Sequence, residues 1–300
     1  MRFARVGAPG AERPVVEGPD GRLHGLGSLT EDLTPRFLEE GLAAVERLLP
    51  SLPVLEDVPQ RWGAPVVRPG KVVGIGLNYA AHADESGQPR PAEPVVFLKA
   101  STSVCGPGDD IRMLPGSVTT DYEVELGVVL GATLCAEDDP ARALAAVAGY
   151  VLADDVSDRS LQLERGGTWT KGKSADTFCP LGPWLVTPDE LGDPQALTLR
   201  LSVNGEPRQH AATSDMIFTV AEVLCYTSSI MTLEPGDVLV TGTPAGVALG
   251  HPDPKPYLRH DDVIEAGGGV LGTHRNRVVA HAATRHTVGT LDDRRLADGR

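Results

Sequence analysis

From Lys71 onward the chain is a succession of short apolar runs, each closed by glycine, proline, asparagine or aspartate. Val72-Val73-Gly74-Ile75-Gly76, Val95-Val96-Phe97-Leu98, Val124 to Leu130, Tyr150 to Ala153 and Leu197 to Val203 are such runs. They are too short for amphipathic helices and suit strands of a buried sheet. Asn204-Gly205, directly after the last of them, predicts a hairpin, because both turn positions need positive φ. Helical signals are fewer. Pro140 to Ala148 reads as one helix, and Thr219 with Glu222 forms a capping box that opens another. With 34 glycines, 25 prolines and 4% aromatic residues, the composition favours turns over a helical bundle. The expected fold class is β-rich α+β.

Residues 1–68 read as a small α+β domain of their own, with residues 69–300 as the main domain. Two short strands, Pro14 to Gly18 and Arg22 to Leu26, flank the turn Pro19-Asp20-Gly21. Thr34 as N-cap and Pro35 at the first helical position open a helix with the apolar face Phe37, Leu38, Leu42, Val45, Leu48 and Leu49. Pro50 and Pro53 end it. The charged run from Asp292 to Arg300 is expected to fray.

Hydrophobic residues make up 41% of the chain, enough for a sizeable core, and the net charge of −14 argues against a nucleic-acid surface. No signal-type segment and no membrane-length apolar stretch is present, so a cytoplasmic protein without membrane contact is expected. Cys105, Cys135, Cys179 and Cys225 are scattered, which favours reduced thiols over disulfides.

The most informative segment is Asp121-Tyr122-Glu123-Val124-Glu125-Leu126-Gly127. On a strand Glu123 and Glu125 share a face, with Cα atoms roughly 7 Å apart. An exposed edge would leave both in water. Val128, counted with that face, leaves the strand apolar on both sides further on, and this favours burial and a compensating cation. A second acidic pair, Asp154-Asp155, follows the run Tyr150 to Ala153. Glu123, Glu125 and an aspartate at that strand end would form an all-oxygen site. Such a site suits Mg²⁺, Mn²⁺ or Ca²⁺ rather than zinc, with positions left open for substrate.

If Asn78 caps a short helix, His82 and Glu85 lie three residues apart on one face, the spacing of a histidine oriented by a carboxylate. An ordinary surface pair would have the same spacing. Gly74-Ile75-Gly76 lacks the third glycine of a dinucleotide loop, since Tyr79 stands there. Gly166 to Ser174 places glycines around lysines, as an anion-binding loop or a flexible surface loop would, without the spacing of a triphosphate-binding motif.

These segments, in this order, resemble the fumarylacetoacetate hydrolase family. The matching text is Val73 to Tyr79 with His82, Pro94 to Lys99, Tyr122 to Val129, Asp154 to Arg159, Thr213 to Phe218, and Pro235 to Val247. The resemblance implies a mixed β-sandwich roll, a homodimer, and one divalent metal per active site, Mg²⁺ or Mn²⁺. It puts the metal ligands on Glu123, Glu125 and Asp155. It makes His82 and Glu85 catalytic, with Lys173, and assigns substrate contacts to Tyr79, Lys99, Arg159, Gln162 and Thr243. Gln162 to Trp169 and Gly182 to Thr187 look closest to bacterial hydrolases of 2,4-dioxo-3-deoxy sugar acids.

The expected substrate is therefore a small anionic 2-oxo acid. A water deprotonated by His82 would attack the 4-oxo carbon, and the C3–C4 bond would break to give pyruvate and a carboxylic acid. Lys173, with Gln162 nearby, would stabilise the oxyanion. Decarboxylation of an oxaloacetate-type acid or isomerisation of a 2-oxo acid are rival reactions on the same site. A non-catalytic metal-stabilised binding protein is the rival of another class; it would leave His82 and Lys173 unexplained.

Overall fold

The computed structural model describes residues 1–281; the run from Asp292 to Arg300 lies outside them. Two strands carry the centre of the fold. Val124–Leu130 and Val147–Asp154 are buried along their whole length and pair antiparallel, Val124 opposite Asp154 and Gly127 opposite Val151. Sequences buried on both faces have no polar side to show, which is why these runs read as nearly continuous apolar text. Val238–Val240 lies on the other side of Val124–Leu130, followed by Val72–Gly76, parallel to it, and Val95–Lys99 at the edge.

The opposite edge is built by the N-terminus. Arg2–Val6, a strand not foreseen from the sequence, pairs with Leu185–Val186 and then with Arg13–Glu17, which pairs with Leu23–Gly25. The result is one ten-stranded sheet. The expected boundary at 68/69 falls in the connector between Trp62–Gly63 and Val72–Gly76, and strands from both sides of it share this sheet.

A second sheet of five strands packs on one face of the first. It contains the predicted hairpin of Thr198–Val203 and Glu206–Ala212, turned at Asn204 (φ 54°) and Gly205 (φ 79°). Its inward residues Leu199, Leu201, Val203 and Ile264 meet Val124, Leu126, Val128 and Leu152 of the large sheet in one apolar cluster. Val128 thus belongs with Val124 and Leu126; strand alternation puts Gly127 and Val129, not Val128, on the carboxylate face. Val129, Val151 and Val240 meet Phe3, Leu33, Phe37 and Val45 on the other side. The architecture is a mixed β-sandwich with peripheral helices, and neither sheet closes into a barrel.

Two helices are shorter than their apolar patterns suggest. The N-terminal one breaks at Gly41 into Pro35–Glu40 and Leu42–Leu48. There a Cβ would sit 2.3 Å from the Phe37 ring, so glycine lets the ring fold over the break. Pro140–Ala145 stops before Val147 and Ala148, which the sheet recruits as the start of the next strand. The Thr219 capping box opens Val220–Ile230 as expected, with Glu222 returning a bond to the Thr219 N–H. The four cysteines carry free thiols. Among the described residues no helix is long and apolar enough to cross a membrane.

The pairing pattern brings four chain segments to one edge of the large sheet. Val72–Gly76, Val147–Asp154 and Val238–Val240 end there, and the antiparallel Val124–Leu130 begins there. After Val240 the chain runs on to Gly246 (φ 108°), where a Cβ would lie 2.0 Å from the Arg208 carbonyl oxygen. A backbone atom cannot yield as a flexible side-chain end can. Gly246→Ala should therefore destabilise the protein by about 2 kcal/mol or more, through strain and clash together. Gly21→Ala, at φ 77° but with open space around it, should cost about 1 kcal/mol. Denaturant unfolding of both variants checks this; equal losses would refute the close approach at Gly246.

Candidate active site

Glu123 and Asp155 flank the two central strands, and their backbones are tied directly: the Asp155 N–H donates to the Glu123 carbonyl at 2.9 Å. Glu125 is the second residue of the strand Val124–Leu130. One oxygen from each of Glu123, Glu125 and Asp155 can be chosen so that all lie within 4.8 Å of one another, and all three residues are buried. Asp154, the other member of the acidic pair, does not join them. Its Oδ1 accepts the Glu123 N–H at 2.8 Å, and burial pushes its carboxyl up to about 7.

Anions this close in a low-dielectric interior need counter-charge. Lys173 Nζ donates to Glu123 Oε2 at 2.7 Å and Asp155 Oδ2 at 2.5 Å. Lys99 Nζ donates to Asp155 Oδ1 at 2.5 Å. Arg159 pairs with Glu123 Oε1 at 2.5 Å and, through Nε, with Asp121 Oδ2 at 2.8 Å. Burial disfavours charge on Glu123, but Arg159 and Lys173 outweigh it and hold the carboxyl below its usual range. Glu125 differs. Its Oε2 accepts the Gly242 N–H at 2.7 Å, and among the described residues no lysine or arginine forms an ion pair with it. Burial, followed by the Asp155 and Glu123 charges, pushes it well above the carboxylate range. A buried oxygen trio in which one carboxyl has no ion-pair partner and needs a cation to ionise fits a hard divalent ion such as Mg²⁺ or Mn²⁺.

Across the site lies the helix Ala80–Glu85. Its N-cap position is Tyr79, not Asn78 as expected, and no side chain caps it. Asn78 instead locks two loops together: its amide donates to the Phe218 and Thr241 carbonyls and its oxygen accepts the Phe218 N–H. His82 Nδ1 bonds Glu85 Oε1 at 2.9 Å. Glu85 also accepts the Gly246 N–H, at 2.9 and 3.1 Å to its two oxygens. An ionised carboxylate only accepts, so the proton sits on Nδ1 and Nε2 is left as the basic nitrogen.

His82, the carboxylate trio, Arg159, Gln162, Lys173 and Thr243 line a cavity of about 170 Å³. Arg159 donates to Gln162 Oε1 at 2.9 Å. Thr243 donates to the Val124 carbonyl and accepts from Gln209 Nε2. Two expected substrate contacts stand outside the cavity wall. Lys99 is buried behind Asp155, and Tyr79 is buried with its hydroxyl unpartnered. The glycine-flanked lysine is not a free anion binder either: Lys173 ends the helix Trp169–Lys173, and its ammonium is committed to two carboxylates.

Sequence reasoning missed Asp121, which anchors Arg159 and accepts the Ala248 and Leu249 N–H groups. It also missed Gln209, which comes from an unremarkable strand of the small sheet, and the wall formed by Phe97 and Trp169 with ring centroids 5.6 Å apart. Gly76 carried a signal for that wall: a Cβ there would lie 2.2 Å from Trp169.

The model of the family "Fumarylacetoacetate (FAA) hydrolase C-terminal" matches residues 71–279. A 2,4-didehydro-3-deoxy-L-rhamnonate hydrolase from Sphingomonas sp. (strain SKA58) is 48% identical over 280 residues, covering 93% of this chain and 96% of that protein. The solved structure of fumarylacetoacetate hydrolase from psychrophilic Exiguobacterium antarcticum superposes with a TM-score of 0.81 at 36% identity, over 94% of this chain and 100% of that one. Maleylpyruvate hydrolase from Sphingobium sp. SYK-6, in complex with manganese (II) ion and pyruvate, gives a TM-score of 0.76 at 29% identity with the same coverage. With the site geometry and these similarities together, the chain belongs to the fumarylacetoacetate hydrolase family of enzymes.

Proposed function

We propose that this enzyme hydrolyses the C3–C4 bond of a 2,4-dioxo acid to pyruvate and a second carboxylic acid. The observation that carries the reading is that a carboxylate-oriented histidine lines the same cavity as three buried carboxylates. Relatives named for the hydrolysis of a 2,4-didehydro-3-deoxy acid and of maleylpyruvate support the substrate class.

Glu123, Glu125 and Asp155 would hold Mg²⁺ or Mn²⁺, which when bound supplies a Lewis acid for the oxygens of the 2-oxo acid. His82 Nε2 takes a proton from water as that water adds to the 4-oxo carbon, and Glu85 stabilises the imidazolium that results. Lys173 has three N–H donors, two of them committed to carboxylates; the third is available to the oxyanion formed at C4. Scission of C3–C4 sends the bonding pair to C3, where a proton completes pyruvate, and the attacking oxygen stays with the new carboxylate. Lys99 and Asp121 act at one remove, orienting Asp155 and Arg159. Tyr79 is assigned no direct contact. Isomerisation or decarboxylation of a 2-oxo acid needs no base for water, so the His82–Glu85 pair favours hydrolysis. A homodimer, which the family resemblance implies, belongs to the same proposal and is testable by light scattering.

Glu125 gives a clean test of the metal, because its removal orphans no lysine or arginine. Glu125→Gln should melt close to the wild-type temperature without metal, since burial and the neighbouring carboxylates already favour a neutral Glu125 carboxyl and the amide oxygen can still accept the Gly242 N–H. Saturation with Mn²⁺ at about 100 times its Kd should stabilise the wild type by about 2.7 kcal/mol and leave Glu125→Gln unmoved. Mn²⁺-dependent turnover by this variant would refute the ligand assignment.

His82→Ala should lower kcat by about 100- to 10,000-fold while Mn²⁺ still raises the melting temperature. Glu85→Gln, which keeps a side chain for Gly246 but withdraws the carboxylate from Nδ1, should fall between this variant and the wild type. Loss of enol absorbance and pyruvate release from acylpyruvates, with a chelator control, reads both. Undiminished kcat in His82→Ala would exclude it as the base.

A further inference from the structure

We propose that Ser86 selects the acyl half of the substrate, its hydroxyl pairing with a hydroxyl on a neutral acyl chain beyond C4; this rests on the reaction proposed above. Ser86 lines the cavity, yet its Oγ is buried and has no hydrogen-bond partner among the described residues. Leaving a hydroxyl in that state carries a desolvation cost, so a buried unpartnered one at a cavity wall points to a ligand or a water that a ligand replaces.

The usual structural use of a serine at a helix end is to donate to a carbonyl one turn back. Ser51, Ser228 and Ser229 do this here, each donating to the carbonyl three residues earlier. Ser86 does not, although it occupies the C-cap of Ala80–Glu85 and its backbone N–H bonds the His82 carbonyl at 3.1 Å. Its side chain is therefore free of any role in ending the helix.

Position fixes which part of the substrate it meets. Ser86 stands four residues after His82 and keeps right-handed helical dihedrals (φ −82°, ψ −2°), so the two share a face with Cβ atoms about 5–6 Å apart. If His82 faces the water that attacks C4, Ser86 faces the carbons beyond it. The pyruvate half lies toward Arg159, Gln162 and Thr243, on the carboxylate side.

Charge limits what that acyl chain can carry. Arg159 and Lys173 are the lysine and arginine side chains on the cavity wall among the described residues, and buried carboxylates hold both. The same cavity is lined by the apolar side chains Leu163, Trp169 and Leu249 and by Gln88. A second carboxylate on the substrate would find no free cation there, whereas a hydroxyl finds Ser86.

The test compares three substrates of the Mn²⁺-loaded enzyme: acetylpyruvate, 2,4-dioxo-5,6-dihydroxyhexanoate and succinylpyruvate, which ends in a second carboxylate. In Ser86→Ala, the ratio of kcat/KM for the dihydroxy acid to that for acetylpyruvate should fall about five- to tenfold, the worth of one neutral buried hydrogen bond. Wild-type enzyme should use succinylpyruvate less efficiently than acetylpyruvate. An unchanged ratio in the variant, or succinylpyruvate used as well as acetylpyruvate, overturns the inference while leaving the reaction standing. Failure of the wild type to cleave any of the three overturns the reaction and the inference together.

Discussion

The site depends on the electrostatic balance around Glu123, Glu125 and Asp155. Asp121 joins them to make four buried carboxylates, facing the three cations Lys99, Arg159 and Lys173. Removing one partner of such a set leaves an uncompensated buried charge, which is why the cluster holds together as a unit. It also explains why the lysines serve geometry before they serve substrate. Lys99 and Lys173 clamp the two oxygens of Asp155 from different directions, and Arg159 links Glu123 to Asp121. What remains is Glu125, which has a backbone N–H and, among the described residues, no ion-paired cation, so that without a metal burial and its neighbours disfavour its charge.

The second half of the machinery is held by a different kind of restraint. The helix Ala80–Glu85 is under two turns long and lacks a side-chain cap, so its intrinsic stability is small. Tertiary contacts fix it. Asn78 ties its entrance to the loops at Phe218 and Thr241, and Glu85 ties its end to Gly246. The Gly246 carbonyl in turn accepts the Tyr122 hydroxyl, one residue before Glu123. The His82–Glu85 pair and the carboxylate trio are thus connected through a loop whose glycine cannot carry a side chain without striking Arg208.

Much of this was legible because chemistry that needs neighbouring residues also leaves local patterns. Glu123 and Glu125 stand out against an apolar strand, the pair Asp154-Asp155 against a strand end with only the family resemblance choosing Asp155, and His82 with Glu85 by helical spacing. The central strands were readable for the same reason: buried on both faces, they cannot be mistaken for amphipathic elements. The parts that were not legible depend on distant pairings. Arg2–Val6 becomes a strand because Leu185–Val186 offers it an edge, and Val147 leaves its helical context because Leu130 pairs with it. Lys173 reads as an anion binder beside its glycines until Glu123 and Asp155 are brought to it from 50 and 18 residues away. Gln209 has no local mark at all, since its role exists only where the hairpin meets Thr243.

The two kinds of support divide the cavity by function. The carboxylate side is set by strand ends of the sheet core, where a shift of one residue would reverse the faces and dismantle the cluster. The side carrying His82 and Ser86 is set by a short helix and a loop, where a side chain can change without disturbing any ladder. Ser86 and His82 both sit on the helix side of that division, four residues apart.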